Sequence, residues 1–246
     1  MRLVLLGLPP TTNNLYAVVN GRQVKSEAGR AWTELIGAVA RRSWTKRPST
    51  RSFAVLITYH RSAYDRDVDG SHKTILDGMS KLVWKDDRQV ALLTIRKERA
   101  PDGVLPWTSI VIRELAQAPT WRPLRSPLDA YALTSDFIPP TTNNTYAVVR
   151  GIRRKTREGR TASERYVAAM EGLAGLDDPM SGRLRVRVRH AFKENRRDVD
   201  GSHKLLLDAA RGLLWNDDLQ IDWITLTKCR REEGPLISFD AWEAHP

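Results

Sequence analysis

Apolar and polar positions along the chain fall into short blocks, and the same succession of blocks occurs twice. In the first half, Arg2 to Leu8 is a short apolar run ended by Pro9-Pro10, which predicts a strand. Tyr16 to Val19 and Arg22 to Ser26 flank Asn20-Gly21, a strong hairpin signal. From Glu27 to Arg42 the periodicity is helical, with Trp32, Leu35, Ile36 and Val39 on one side. Phe53 to Tyr59 is β-branched and aromatic enough for a strand. An acidic stretch follows, then a helical pattern to about Val83 and two further strands, Val90 to Ile95 and Ser109 to Ile112. The second half predicts the same order: a strand over Tyr131 to Ile138, a hairpin around Gly151, a helix from Glu158, a strand over Leu184 to Val188, a helix ending at Leu214, and strands at Ile221 to Leu226 and Leu236 to Phe239. Between the halves, Ala116 to Asp129 carries Pro119, Pro123 and Pro127, a density that predicts a semi-rigid extended linker.

The repetition extends to individual residues. Leu8-Pro9-Pro10-Thr11-Thr12-Asn13-Asn14 returns as Ile138-Pro139-Pro140-Thr141-Thr142-Asn143-Asn144, at an offset of 130. Arg66-Asp67-Val68-Asp69-Gly70-Ser71-His72-Lys73 returns unchanged as Arg197-Asp198-Val199-Asp200-Gly201-Ser202-His203-Lys204, at an offset of 131. A period this long is a duplicated domain, not a solenoid unit. The expected organisation is α+β: one domain over residues 1–115, a linker over 116–130 and a second domain over 131–246.

The repeated acidic stretch carries the chemistry. In each copy a Trp and an acidic pair follow the helix: Trp84-Lys85-Asp86-Asp87 and Trp215-Asn216-Asp217-Asp218. With Asp69 as helix N-cap, Lys73 and Asp77 fall about 40° and 80° around the helix from it. Ile75, Leu76, Met79, Leu82 and Val83 take a separate arc, and Asp200, Lys204 and Asp208 repeat the polar face. Two like charges about 4 Å apart repel by roughly 4 kcal/mol at an effective dielectric of 20. Gathered carboxylates therefore need protonation or a cation, and Mg²⁺, with its preference for hard oxygen ligands, answers that need. A capped helix with surface ion pairs is the plainer alternative. His72 and His203 fall on the apolar arc and read as buried, hydrogen-bonded structural residues. Trp84 and Trp215 read as packing the helix end, with base stacking the lesser alternative. Asn13, Asn14, Asn143 and Asn144 read as braces for the loop after the first strand, ahead of phosphate contact.

Composition narrows the setting. The formal charge is +11, from 40 Lys and Arg against 29 Asp and Glu, which points to a polyanionic partner such as nucleic acid. Arg30, Arg41, Arg42, Lys46, Arg47 and Arg66 in the first half, and Arg153, Arg154, Lys155, Arg157 and Arg197 in the second, are candidates for backbone phosphate contact. A single cysteine, Cys229, excludes an internal disulfide and a thiolate zinc cage, and implies a reducing compartment, the cytoplasm. No apolar run reaches membrane-spanning length, and no small-residue cleavage site follows the opening apolar segment.

These motifs resemble the RusA-like Holliday-junction resolvases, the crossover-junction endodeoxyribonucleases. The likeness lies in Pro9-Pro10 to Tyr16; in Asp67, Asp69, Lys73, Trp84, Asp86, Asp87, Gln89 and Val90; and in Asp198, Asp200, Lys204, Trp215, Asp217, Asp218, Gln220 and Ile221. It covers nearly all of both halves, and it departs at Gly70 and Gly201, where the family has Asn. The resemblance implies two tandem copies of a fold with a mixed sheet packed with two helices, the pair standing in for a family dimer within one chain. It implies Mg²⁺ dependence, with Mn²⁺ as an alternative ion. Asp67, Asp69, Asp87, Asp198, Asp200 and Asp218 would be the metal-binding carboxylates. Lys73 and Lys204 would be the catalytic lysines, with Asp77, Asp86, Asp208 and Asp217 in secondary roles. The expected activity is resolution of four-way DNA junctions by paired nicks, one from each repeat, in a chain that works as a monomer. A broader branched-DNA or flap endonuclease and a non-catalytic junction-binding protein are the alternatives. A nucleotide phosphohydrolase would need a phosphate-binding glycine loop, and the sequence has none.

Overall fold

Each half builds one mixed sheet around the strand that leads into the acidic motif. The computed structural model describes residues 1–19, 22–63, 66–123, 125–149, 152–175, 177–193 and 197–244. It divides into two units, Met1–Ala118 and Pro119–Pro246.

Unit 1 runs β1 (Arg2–Leu6), α1 (Thr12–Leu15), β2 (Tyr16–Val19), β3 (Arg22–Lys25), α2 (Glu27–Ser43), β4 (Ser52–Arg61), α3 (His72–Met79), a 3-10 turn (Asp87–Gln89), β5 (Val90–Arg99) and β6 (Trp107–Leu115). Phe53, Val55, Ile57 and Tyr59 alternate inward along β4 and are buried. β5 lies parallel to β4, with Phe53 opposite Val90 and Arg61 opposite Arg99. β6 lies antiparallel on the other side of β4, and β1 is antiparallel to β6. A parallel pair needs a long crossover, and the segment that supplies it carries the acidic motif and α3.

Unit 2 repeats the plan with β7 (Tyr131–Ser135), α4 (Thr142–Thr145), β8 (Tyr146–Val149), β9 (Ile152–Lys155), α5 (Arg157–Ala174), β10 (Leu184–Phe192), α6 (His203–Ala210), a 3-10 turn (Asp218–Gln220), β11 (Ile221–Arg230) and β12 (Leu236–Glu243). β10 pairs parallel with β11 and antiparallel with β12, and β12 pairs antiparallel with β7. The α+β class and the tandem mixed-sheet domains expected from the sequence are what the structure holds.

Three local features depart from the periodicity. The four-residue helices α1 and α4 occupy stretches that read as loop, and glycine makes room for them. A Cβ on Gly29 would sit 2.8 Å from the Leu15 carbonyl, and one on Gly159 would sit 2.3 Å from the Thr145 carbonyl. Leu35, expected on the apolar face of α2, is 44 % exposed, while Ile36, Gly37 and Ala40 form the buried stripe. The site helices are shorter than their apolar pattern. α3 starts at His72 behind Ser71, not at Gly70 behind Asp69, and ends at Met79, after which Lys81 turns in the left-handed region (φ 63°). The corresponding turn after α6 uses Gly212 (φ 80°).

The two small hairpins form as expected from the pattern, with Tyr16 opposite Lys25 and Tyr146 opposite Lys155. Their turn residues Asn20-Gly21 and Gly151 lie outside the described residues. The proline-rich segment is docked on unit 2. Trp121 N–H donates to the Arg230 carbonyl, Arg230 N–H donates to the Pro119 carbonyl, and the Arg189 guanidinium lies 4.4 Å from the Trp121 ring centre. Ser126 donates to Asp240.

Candidate active site

The two repeated motifs are stitched together. Thr12 donates to the Gly70 carbonyl through both its backbone N–H and its hydroxyl. Ser71 Oγ and Arg66 Nη1 both donate to the Pro9 carbonyl, at 3.0 and 3.3 Å. In unit 2, Arg197 Nη1 and Ser202 Oγ donate to the Pro139 carbonyl, at 2.7 and 3.4 Å. The loop after the first strand thus braces the acidic loop through proline carbonyls and a threonine. Asn14 and Asn144, read as braces, have exposed side chains, and those of Asn13 and Asn143 lie outside the described residues.

The acidic loop turns tightly into α3. Gly70 N–H donates to the Asp67 carbonyl at 3.1 Å, and Gly201 repeats the bond to Asp198 at 3.1 Å. A Cβ on Gly70 would come 3.2 Å from that same carbonyl, so an asparagine here would require the turn to give slightly. Ser71 stands at the N-cap position, and Asp69 lies in the turn before the helix. The N-cap role expected for Asp69 is therefore corrected: its backbone carbonyl bonds the His72 ring at Nδ1 (2.7 Å) instead. His203 makes the same contact with Asp200 (2.9 Å). Both histidines are buried, as their place on the apolar arc implied.

Lys73 is the hub of the site in unit 1. Its Nζ lies 3.6 Å from Asp77 Oδ1, one helical turn on, and 3.7 Å from Asp87 Oδ2. Asp87 is fixed from the other side, because its Oδ1 accepts the indole N–H of the fully buried Trp84 at 2.7 Å. Trp215 holds Asp218 in the same way at 2.9 Å, and Lys204 lies 3.3 Å from Asp208. Complete burial removes base stacking as a role for either tryptophan. The other member of each acidic pair is a structural cap. Asp86 accepts from Arg88 N–H and Asp217 from Leu219 N–H, each closing a capping box with Gln89 or Gln220.

The carboxylates do not close on a single point. Asp69 is buried, Asp67 is exposed and Asp198 is half-buried. Among the described residues, no three His, Cys, Asp or Glu side chains are gathered closely enough to hold a metal ion. The sheet supplies the reason. In the parallel pair, Val90 stands opposite Phe53, so Asp87 lies at the end of the sheet where β4 begins, while β4 delivers the acidic loop beyond Arg61 at the other end. Helix α3 bridges the two, and Lys73 makes the connection.

Sequence reasoning missed several groups around this frame. Lys25, at the end of β3, pairs with Asp77 at 2.9 Å, and Tyr146 Oη donates to Asp208 at 3.3 Å. Lys97 and Lys228, both buried, send Nζ to the Arg66 and Arg197 carbonyls at 3.4 and 2.9 Å, directly before the first aspartate of each motif. The only signal was that the apolar alternation of β5 and β11 continues onto a lysine. Among the candidate phosphate contacts, Arg66 and Arg197 are tied to proline carbonyls. Arg30 bonds the Lys25 carbonyl while remaining exposed, and Lys155 donates to Ser163. Arg41, Arg42, Lys46, Arg47, Arg154 and Arg157 are exposed, and the side chain of Arg153 lies outside the described residues.

A duplicated α+β unit with an acid-and-lysine cluster on its crossover belongs to the class of phosphodiester-cleaving nucleases. The family Endodeoxyribonuclease RusA matches the chain twice, over residues 7–113 and 136–238, so the chain belongs to the RusA family as two tandem copies. A search of curated proteins finds no match. Membership makes the chain a crossover-junction endodeoxyribonuclease, a Holliday-junction resolvase of the metal-dependent kind with branched DNA as substrate. Among the described residues, no helix is long and apolar enough to cross a membrane.

Proposed function

We propose that each unit carries its own Mg²⁺-dependent cleavage site, and that the two together resolve a four-way junction by paired nicks, with Mn²⁺ as an alternative ion. The observation that carries this reading is the recurrence of the whole frame. In both units an indole N–H holds the last aspartate, a lysine sits on the crossover helix beside a helix aspartate, and an Asp-Val-Asp loop is pinned from below by a buried lysine.

The donor chemistry fits Mg²⁺. The side chains offered are carboxylates, and Mg²⁺ usually takes one or two of them together with waters and substrate phosphate, so a closed three-carboxylate cage is not required. Asp67 and Asp69 would hold it in unit 1, and Asp198 and Asp200 in unit 2; Asp87 and Asp218, expected as third ligands, would act apart from it, each fixed by its indole. When bound, the ion supplies water activation and stabilisation of the leaving oxygen. Lys73 and Lys204 set a positive charge beside the phosphoryl oxygens as their charge develops. Arg41, Arg42, Lys46, Arg47, Arg153, Arg154 and Arg157 contact phosphates away from the cut and position the DNA without reading its sequence.

A four-way junction is two-fold symmetric and needs two cuts on opposed strands. In this reading the two repeats stand in for the two subunits of a dimeric resolvase, joined at high effective concentration, and the chain acts as a monomer. DNA as substrate and one cysteine, buried, favour a cytoplasmic setting.

The test is a synthetic four-way junction with Mg²⁺, set beside a flap and a linear duplex. Asp67→Asn alone should convert paired cuts into accumulated single nicks. Unchanged bilateral resolution rejects the one-site-per-repeat reading, and equal cleavage of the flap makes the enzyme a general branched-DNA nuclease. Binding without any cut makes it a junction-binding protein.

A further inference from the structure

The helix aspartates Asp77 and Asp208 each face the crossover lysine with one oxygen and the small hairpin with the other. In unit 1, Asp77 Oδ1 lies 3.6 Å from Lys73 Nζ, while Oδ2 accepts from Lys25 Nζ at 2.9 Å. In unit 2, Asp208 Oδ1 lies 3.3 Å from Lys204 Nζ, while Oδ2 accepts from Tyr146 Oη at 3.3 Å. One carboxylate thus joins the crossover lysine to the hairpin in both units.

The two donors differ in chemistry and in strand, yet they stand on the same rung. Tyr16 is opposite Lys25 across β2 and β3, and Tyr146 is opposite Lys155 across β8 and β9. Unit 1 uses the lysine of that rung and unit 2 the tyrosine. The rung is fixed alike in both. The residue after each lysine bonds the preceding short helix, Ser26 N–H to the Leu15 carbonyl and Thr156 N–H to the Thr145 carbonyl, each at 2.9 Å. An arginine of the long helix holds the lysine's own carbonyl, Arg30 in unit 1 and Arg160 in unit 2. The lysine also reaches a hydroxyl on that helix, Lys25 to Thr33 at 3.2 Å and Lys155 to Ser163 at 2.7 Å. A donor that persists through a change of residue and of strand persists for the acceptor it serves.

The physical need lies in the lysine. An ammonium on a flexible four-carbon stem is drawn toward a carboxylate one helical turn away, and a closed ion pair would take it from the substrate. In unit 1, Lys73 Nζ instead stands between Asp77 at 3.6 Å and Asp87 at 3.7 Å, both longer than a hydrogen bond. A donor on the far oxygen of Asp77 fixes the carboxylate plane, and the charge of Lys25 weakens its pull on Lys73.

Resting on the role given above to Lys73 and Lys204, we propose that Lys25 and Tyr146 are positioning residues for cleavage: each anchors the helix aspartate from the hairpin, so that the crossover lysine stays available to the phosphoryl oxygens instead of closing on the carboxylate.

The experiment measures single-turnover nicking of a synthetic four-way junction, and junction affinity without metal, in full chains with one unit silenced. Asp198→Asn with Asp200→Asn leaves unit 1 active, and Asp67→Asn with Asp69→Asn leaves unit 2. At saturating junction, Lys25→Met should slow the unit 1 nick about tenfold, and Lys25→Arg should restore most of the rate. Tyr146→Phe, which removes a single oxygen, should slow the unit 2 nick about threefold. Affinity and its salt dependence should not move. A Lys25 that contacts DNA phosphate would instead weaken binding and lower the salt slope by about 1 at an unchanged saturated rate, which overturns the proposal. Chains with Lys25→Met or Tyr146→Phe that melt lower yet nick at full rate also overturn it, since the contacts then serve the fold alone. Lys73→Met is the reference. If it leaves the unit 1 nick at full rate, the role of the crossover lysine fails and this inference falls with it; if it abolishes the nick while Lys25→Met does not slow it, this inference alone is overturned.

Discussion

Units 1 and 2 keep the same frame and differ in what surrounds it. In unit 1 the helix aspartate Asp77 pairs with a second lysine, Lys25; in unit 2 Lys155, in the matching hairpin position, donates to Ser163, and Tyr146 reaches Asp208. Asp87 is half-buried, while Asp218 is 4 % exposed. In register with the buried lysine across the parallel strands stands a phenol, Tyr59, in one unit and an imidazole, His190, in the other. Only unit 2 carries the proline-rich segment on it, through Trp121, Arg189 and Ser126. What stayed the same is informative for that reason: the Trp-held aspartate, the crossover lysine and the buried lysine under the loop persist although their neighbours changed. Those three contacts are the frame that the two units share.

The comparison can be broken most sharply at the held aspartates. Asp87→Asn and Asp218→Asn should each abolish one of the two cuts, lowering paired cleavage at least about 100-fold while a single nick survives. If either substitution silences both cuts, the units do not act as separate sites. Next comes the indole that holds each aspartate. Trp84→Phe and Trp215→Phe remove a charge-assisted hydrogen bond and leave a cavity in a fully buried position. Each should cost about 3 kcal/mol by denaturant unfolding and slow the corresponding nick. A loss of stability with both nicks at full rate would show that the indole serves packing alone.

Acid should separate the units. His190 is pushed from 6.5 down to about 3, mainly by burial, so between those values the unfolded chain binds the extra proton. Stability therefore rises with pH across that window and is lost as pH falls through it, by about 2 kcal/mol at pH 5. Tyr59, its counterpart, is uncharged throughout. His60 of unit 1 is also lowered by burial, but Glu98 at 3.3 Å opposes the shift. Hydrogen exchange read by mass spectrometry at pH 5 should find unit 2 opening first, and His190→Tyr should remove the difference. The smallest effect concerns the turn after the site helix. Lys81→Gly gives unit 1 the residue that unit 2 has at Gly212 and should raise stability by about 1 kcal/mol, while Gly212→Lys should lower it by a similar amount, both measured by thermal melting.

Much of this was legible along the chain because it is local. Alternation located the strands, helical spacing located α2 and α5, and the duplication served as an internal comparison that marked Asp67, Asp69, Lys73, Trp84 and Asp87 as a set. Boundaries were less legible. α3 was read two residues too long at its start because Asp69 makes a good cap in isolation, while the tertiary stitch from Thr12 to Gly70 holds that stretch in a turn and leaves Ser71 at the N-cap. The four-residue helices α1 and α4 gave no periodic signal, since one turn is too short to show one. The bonds from Arg66 and Arg197 to proline carbonyls 57 and 58 residues away were not legible, because their acceptors lie in a distant part of the string.

The sequence alone determined that one α+β domain occurs twice, with an acid-and-lysine motif in each copy, because residue identity and spacing are properties of the string and repetition tests them. Only the tertiary structure decided how the motif is held: Lys73 reaching Asp87 across the crossover, indoles fixing the last aspartates, and Lys97 with Tyr59, or Lys228 with His190, lying beneath the loop. Those contacts join residues far apart in the chain, and parallel strand pairing, which no local pattern encodes, is what brings them to the same place.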